Sequence, residues 1–200
     1  MSERRAEIWL VRHGETEWSA SGQHTGRTDI PLTATGQRQA AALGRHLGKR
    51  PFALVLSSPL ARALDTCRLA GYGDVARTTN DLLEWDYGVF EGRKTADIRK
   101  EKPGWLIWDD DIPGGERAED VGQRTQRVID QAMAAGGDVA LFAHGHVLRI
   151  LTACWLGLPA LSGRYFALGT ASISVLGFEH ETRVIKVWNQ DWHLAREENP

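Results

Sequence analysis

Two hundred residues with 42% hydrophobic content are expected to fold as one domain, residues 1–200, with enough chain to bury a sizeable core. The net charge of -2 is spread with both signs mixed, which argues against a basic face for nucleic acid, and no apolar run approaches the ~20 residues of a membrane span. Cys67 and Cys154 lack Cys-x-x-Cys spacing, and the N-terminus shows no signal-peptide core, so a reduced, cytoplasmic setting is expected.

Ile8 to Val11 is an apolar run of β-branched and aromatic residues, the pattern of a buried strand. It breaks at Arg12-His13-Gly14, where an arginine beside a histidine offers an anion clamp next to a nucleophile or proton carrier. Gly14 allows a tight turn and leaves room for something to approach closely. Residues 20–32 form a polar loop too long for a plain connector. Thr33 is expected to cap a helix reaching about Arg50, with Ala40, Leu43 and Leu47 inward.

Phe52 to Leu56 is a continuous apolar run, as in a strand covered on both faces. Ser58 and Pro59 then suit the N-cap and first position of a helix whose inner face carries Leu60, Leu64 and Cys67. Arg62 falls in its first turn, where a cation opposes the helix dipole. A surface arginine tolerates that penalty; a bound anion would remove it. Residues 76–83 read as a strand ending at Glu84-Trp85-Asp86-Tyr87-Gly88. The irregular stretch 89–116, with a helical patch at 95–100 and Trp105 and Trp108, is the natural lid or pocket wall, although packing is the simpler role for both tryptophans.

A helix follows to Ala135, with Val121, Val128, Ile129, Ala132 and Met133 on one face. Val139 to Ala143 is a second continuous apolar strand, ending in His144-Gly145-His146 and turning at once into a helix with Val147, Ile150, Leu151 and Cys154 inward. The free N–H groups at that helix start favour an anion. Ser172–Phe178 and Arg183–Trp188 are the last strands, joined by a hairpin. His46, His180 and His193 read as solvated, with Trp192 anchoring the polar tail. Alternating strands and helices imply an α/β three-layer sandwich with a mostly parallel central sheet, whose ligands collect at the carboxyl ends of the strands.

Those ends supply Arg12, His13, Arg62, Glu84 and His144, an inventory suited to phosphoryl transfer through a histidine. The motifs resemble the histidine phosphatase, or phosphoglycerate-mutase-like, superfamily. The matching pieces are Leu-Val-Arg-His-Gly-Glu-Thr at 10–16, Thr25-Gly26, Ser-Ser-Pro-Leu-Ala-Arg-Ala at 57–63, Leu-Leu-Glu-Trp-Asp-Tyr-Gly at 82–88, Pro-Gly-Gly-Glu at 113–116 and Ala-His-Gly-His at 143–146. Together they are specific where each alone is weak.

The resemblance implies a phosphohistidine on His13, phosphate held by Arg12, Arg62 and His144, and Glu84 as the acid that protonates the leaving oxygen. It maps Ser19, Thr25 and Gly26 onto the loop that touches phosphate, with Ser19 standing where mutases usually carry asparagine. His24, Tyr87, Gly145 and, on weaker grounds, Arg117 are further candidate substrate contacts. No cofactor is implied, and the partner is a small phosphorylated metabolite.

The segment after Glu84 lacks the paired arginines of the mutases and is acidic at Asp109-Asp110-Asp111. These departures favour a phosphomonoesterase acting on sugar phosphates or bisphosphates, with a mutase as the alternative. Small bacterial acid phosphatases and fungal sedoheptulose-1,7-bisphosphatases look most similar. A metal site on His13, His144 and His146 is the reading from another class, and no other ligand spacing supports it.

Overall fold

The structure, a computed structural model, describes residues 5–195. In chain order the elements are β1 (Ile8–Arg12), α1 (Glu17–Ser21), α2 (Ala34–Leu47), β2 (Leu54–Ser57), α3 (Ala61–Leu69), β3 (Ala76–Thr78), α4 (Thr95–Glu101), α5 (Ala118–Met133), β4 (Val139–Ala143), α6 (Gly145–Trp155), β5 (Ile173–Glu179), β6 (Thr182–Gln190) and α7 (Trp192–Ala195), with 3-10 turns at Asn80–Leu82, Gly88–Phe90 and Ala160–Tyr165. The strands form one sheet in the order β3-β2-β4-β1-β5-β6. The first four run parallel, β5 runs antiparallel to β1, and β6 runs antiparallel to β5.

Strand periodicity divides the core in two. Ile8 and Leu10 of β1, Leu56 of β2 and Val139 and Leu141 of β4 pack on one face with Val121, Val128 and Ile129 of α5 and Ile150 and Leu151 of α6. Val11, Val55, Ala140 and Phe142 pack on the other with Leu43 and Leu47 of α2 and Cys67 of α3. The expected three-layer α/β sandwich with a mostly parallel sheet is the observed fold. Its central strands read as unbroken apolar runs because helices cover both of their faces.

Several expected boundaries move for local reasons. α2 stops at Leu47, short of Arg50, because Gly48 takes the left-handed conformation (φ 60°) and closes it. The strand expected over 76–83 ends at Thr78, where Thr79 accepts a hydrogen bond from the Asp81 N–H and starts a 3-10 turn. α5 ends at Met133, which faces solvent, and not at Ala135. At the other end of the chain, His193 and not Trp192 turns inward: His193 is 6% exposed and donates from Nε2 to the Ala171 carbonyl at 2.9 Å, whereas Trp192 is 74% exposed. Adjacent helical residues point ~100° apart, so a single turn seats only one of them.

Gly14 is tied to close approach, but of backbone and not of ligand. A methyl group there would sit 2.4 Å from the Gly36 carbonyl oxygen at the start of α2. Gly14→Ala is therefore expected to cost about 1–3 kcal/mol of stability through overpacking. The midpoint of urea unfolding measures this, and an unchanged midpoint would mean that the two loops separate without cost.

Candidate active site

Arg12, His13, Ser58 and His144 all sit at the carboxyl ends of neighbouring parallel strands. The His13 N–H donates to Ala143 O at 3.0 Å and its carbonyl accepts from the Ala171 N–H at 2.9 Å, so the backbone beneath the imidazole extends the sheet. Gly14 N–H donates to Thr66 Oγ1 at 3.0 Å, tying the loop to α3. The imidazoles of His13 and His144 lie with ring centroids 5.2 Å apart. Arg62 Nε donates to His144 Nδ1 at 3.1 Å, which brings three of the predicted residues into one cluster.

The hydrogen bonds decide the tautomers. His13 Nδ1 lies 2.7 Å from Gly14 O; a carbonyl can only accept, so the proton is on Nδ1 and Nε2 keeps its lone pair. His144 Nδ1 accepts from Arg62, so its proton is on Nε2, which donates to Ser58 Oγ at 2.8 Å. Ser58 lies two residues before the N-cap of α3, so its hydroxyl serves His144 and does not cap the helix. The helix begins at Ala61 with Leu60 as its N-cap, whose own N–H reaches Ser58 Oγ at 3.4 Å, and Asp29 of the 20–32 loop accepts from the Ala61 N–H at 2.8 Å.

Burial, reinforced by Arg12 and Arg62, holds the pKa of His13 well below that of a free histidine. Burial and then Arg62 do the same for His144, and burial and then Arg149 for His146. All three rings are therefore neutral at pH 7.

Arg62 is fully buried, and its position in the first turn of α3 has a structural explanation. Its Nη1 donates to Thr28 O at 2.9 Å, and its Nη2 to Gly26 O at 2.8 Å and Thr25 O at 3.2 Å. The side chain thus turns away from the helix axis and pins the 20–32 loop over the site. Arg12 reaches the Leu168 carbonyl through Nη1, and its buried Nε has no partner. Gly145 lies against the guanidinium: a Cβ there would meet Arg12 Cζ at 3.4 Å, an ordinary contact.

The partner of the free N–H groups at the start of α6 is supplied by the chain itself, in the Glu84 carboxyl group. Glu84 Oε2 accepts from the His146 N–H at 3.0 Å, and Oε1 accepts from the Val147 N–H at 2.8 Å and the Trp85 N–H at 2.9 Å. Glu84 and His13 line the same narrow cleft, about 110 Å³ in volume.

The other candidates separate into cleft and support. Ser19, His24, Thr25, Tyr87 and Gly145 line the cleft. The Ser19 hydroxyl donates to Thr16 O at 3.0 Å and accepts from Thr16 N–H at 2.9 Å, which commits its proton to the cap of α1. Thr25 Oγ1 donates to Gln23 O at 3.1 Å. Gly26 does not line the cleft; a Cβ would meet Glu91 Oε1 at 2.1 Å and Trp85 O at 2.5 Å, so the residue serves close packing and offers Arg62 its carbonyl. Arg117 is exposed at the start of α5, 3.6 Å from Asp120, and does not line the cleft.

Residues 89–116 supply none of the cleft lining and instead back it: Trp108 packs on His146 (5.0 Å) and Trp105 on His24 (5.4 Å). The larger cavity, about 740 Å³, lies at the opposite end of the sheet beside Arg5, Phe52 and Gly137, and none of the predicted site residues lines it. Among the described residues no group of three His, Cys, Asp or Glu side chains is set to hold a metal ion, and no helix is long and apolar enough to cross a membrane.

The model of the histidine phosphatase superfamily, branch 1, matches residues 8–191. The chain belongs to this superfamily. It is 41% identical over 197 residues to an acid phosphatase of Mycobacterium tuberculosis, covering 96% of this chain and 97% of the relative. It is 36% identical over 182 residues to the sedoheptulose 1,7-bisphosphatase of Saccharomyces cerevisiae, covering 74% and 67%. A solved mycobacterial glucosyl-3-phosphoglycerate phosphatase superposes with a TM-score of 0.83 at 31% identity, covering 92% and 98%.

The cleft of this histidine phosphatase also holds Gln23, His146, Arg149 and Leu168, none of which was among the expected substrate contacts. Arg149 follows His146 by three residues on α6, a spacing that puts both on one helix face and was available from the sequence. Leu168 carries no such signal.

Three neutral imidazoles, those of His13 and His144 buried and that of His146 half-buried, also set the response to acid. Below pH ~6.5 the unfolded chain binds protons that the native His13, His144 and His146 refuse, so stability falls as pH falls, and continues to fall until the lowered native pKa values are reached. The expected slope is up to about 4 kcal/mol per pH unit if all three act together. Urea unfolding between pH 7.5 and 5, values spanning roughly the free-histidine pKa, measures it. A flat profile would mean that these rings are protonated in the native state.

Proposed function

We propose that this histidine phosphatase is a phosphomonoesterase that hydrolyses small phosphorylated metabolites, sugar phosphates or bisphosphates, through a phosphohistidine on His13. The observation that carries this reading is the His13 tautomer: Nδ1–H is bonded to Gly14 O, so a lone pair is left on Nε2 in a cleft shared with Arg12 and Glu84. In the first step Nε2 attacks phosphorus and the P–O ester bond breaks, with Glu84 giving its proton to the departing oxygen. In the second, water attacks the phosphohistidine, Glu84 takes a proton from that water, and the N–P bond breaks to release phosphate. Arg12, Arg62 and His144 offset charge on the phosphoryl oxygens, the main source of acceleration in such transfers.

The names of the relatives support the substrate class, since one is a sugar bisphosphatase and another a phosphatase of a glycosylated phosphoglycerate. A metal-free screen of phosphate release over sugar phosphates, bisphosphates and phosphoglycerates tests the proposal, with rapid acid or alkaline quenching to trap the phosphoenzyme. Phosphate release without a phosphoenzyme intermediate would remove His13 from the nucleophile role, and isomerised phosphoglycerate in place of free phosphate would make the chain a mutase.

A further inference from the structure

Arg62 grips the 20–32 loop by its carbonyls, and a carboxylate grips the same loop by its N–H groups. Glu91, half-buried just after the Gly88–Phe90 turn, accepts through Oε1 from the Arg27 N–H at 3.0 Å. Through Oε2 it accepts from the Thr28 N–H at 3.0 Å and the Thr28 hydroxyl at 2.6 Å. The peptide group between Gly26 and Arg27 is therefore bonded at both ends. Its oxygen accepts from Arg62 Nη2 at 2.8 Å, and its N–H donates to Glu91. Thr28 is held in the same way, by Arg62 at its carbonyl and by Glu91 at its N–H. A guanidinium and a carboxylate polarise a peptide between them in one sense, so the two bonds strengthen each other.

The approach is close. A Cβ on Gly26 would come within 2.1 Å of Glu91 Oε1, so the carboxylate lies against bare backbone. Neighbouring bonds keep the two segments together: the His24 N–H donates to Arg93 O at 2.9 Å, the Gly92 N–H to His24 O at 2.8 Å, and Gln23 Nε2 to Gly92 O at 2.7 Å.

Arg62 needs such support. Burial lowers its pKa, and Glu84, followed by Asp29, Tyr87 and Glu91, acts against that. Glu84 is neutral when it acts as the acid, and Asp29 is bonded to the Ala61 N–H. Glu91 alone of these shares a peptide group with the guanidinium. It does not line the cleft, so any effect on bound phosphate passes through the loop and Arg62.

We propose that Glu91 is a positioning residue for the reaction set out above, on whose assignment of Arg62 this inference rests. By holding the N–H groups of Arg27 and Thr28 it presents the Gly26 and Thr28 carbonyls to Arg62. That fixes the guanidinium that bonds His144 Nδ1 and meets the phosphoryl charge.

Calorimetric titration with inorganic phosphate, over a double-mutant cycle of Glu91 and Arg62, tests this. Glu91→Ala is expected to weaken phosphate binding about tenfold, and Glu91→Gln, which keeps the size and one accepting oxygen, by less. In an Arg62→Lys background, whose ammonium lacks the planar fork that spans these carbonyls, Glu91→Ala is expected to cost less than about threefold. The Arg62 Nε–H signal in proton–nitrogen correlation spectra, assigned by its loss in Arg62→Lys, is expected to shift or broaden in both Glu91 variants. If Glu91→Ala does not fold, Glu91→Gln carries the same measurements. Unchanged phosphate affinity, an equal loss in the two Arg62 backgrounds, or an unaltered Arg62 signal overturns the inference. A lowered melting temperature alongside any of these would mean that Glu91 only stabilises the loop. Phosphate binding requires no phosphoenzyme, so failure to trap one in the unaltered chain would strike the His13 reading and leave the coupling of Glu91 to Arg62 measurable.

Discussion

Replacing His13 with alanine is expected to lower turnover of p-nitrophenyl phosphate by about 10⁴-fold or more, the scale on which removal of a covalent nucleophile acts once electrostatic contacts remain. The two imidazoles of the His144-Gly145-His146 motif are engaged elsewhere. His144 has both ring nitrogens bonded, one to Arg62 and one to Ser58, and His146 Nδ1 is bonded to Tyr87. The fold should survive: the substitution leaves Gly14 O without its donor, at about 1–3 kcal/mol, but also removes one imidazole that resists protonation in acid. Steady-state rates, circular dichroism and an acid- or alkali-quenched search for phosphoenzyme give the answer. A folded His13→Ala protein that keeps more than a trace of activity would show that the nucleophile is another group.

Glu84→Gln should divide substrates by leaving group. An alkyl alkoxide needs a proton as the P–O bond breaks, whereas p-nitrophenolate hardly does, so the loss on a sugar phosphate should be about 10²–10⁴-fold and far smaller on p-nitrophenyl phosphate. The geometry adds a structural cost that must be measured alongside. Glu84 accepts from three backbone N–H groups, and the glutamine amide must set its own N–H₂ against one or more of these donors. Thermal unfolding of the variant separates that cost from catalysis. Equal losses on both substrates would take Glu84 out of the acid role.

Much of the architecture was legible from local pattern. Phe52–Leu56 and Val139–Ala143 declared themselves as strands covered on both faces, and the polar breaks after β1 and β4 marked the end of the sheet where Arg12, His13 and His144 gather. Glu84 and Arg62 came from motif; Arg12, His13 and Glu84 line one cleft, and His144, bonded to Arg62, stands beside His13. Arg149 went unread because its i+3 relation to His146 means nothing until Trp108, Gly163 and Leu168 arrive from other elements. Ser58 was misread as a cap because its better partner, His144, lies 86 positions away in the chain. His193 and Trp192 were exchanged because hydrophobicity alone does not say which side of a short helix meets α2.

The sequence by itself therefore determined the order of strands and helices, the end of the sheet that bears the candidate site, and the family to which the chain belongs. These depend on periodicity, turn residues and short motifs, all of which act between near neighbours. The tertiary structure alone decided which nitrogen of each histidine carries its proton, which arginines have hydrogen bonds to spare, and that Glu84 rests on the amides of α6. Those outcomes depend on hydrogen bonds between residues tens of positions apart. A polar group's free valence is a property of all its neighbours at once, and a linear chain does not display them together.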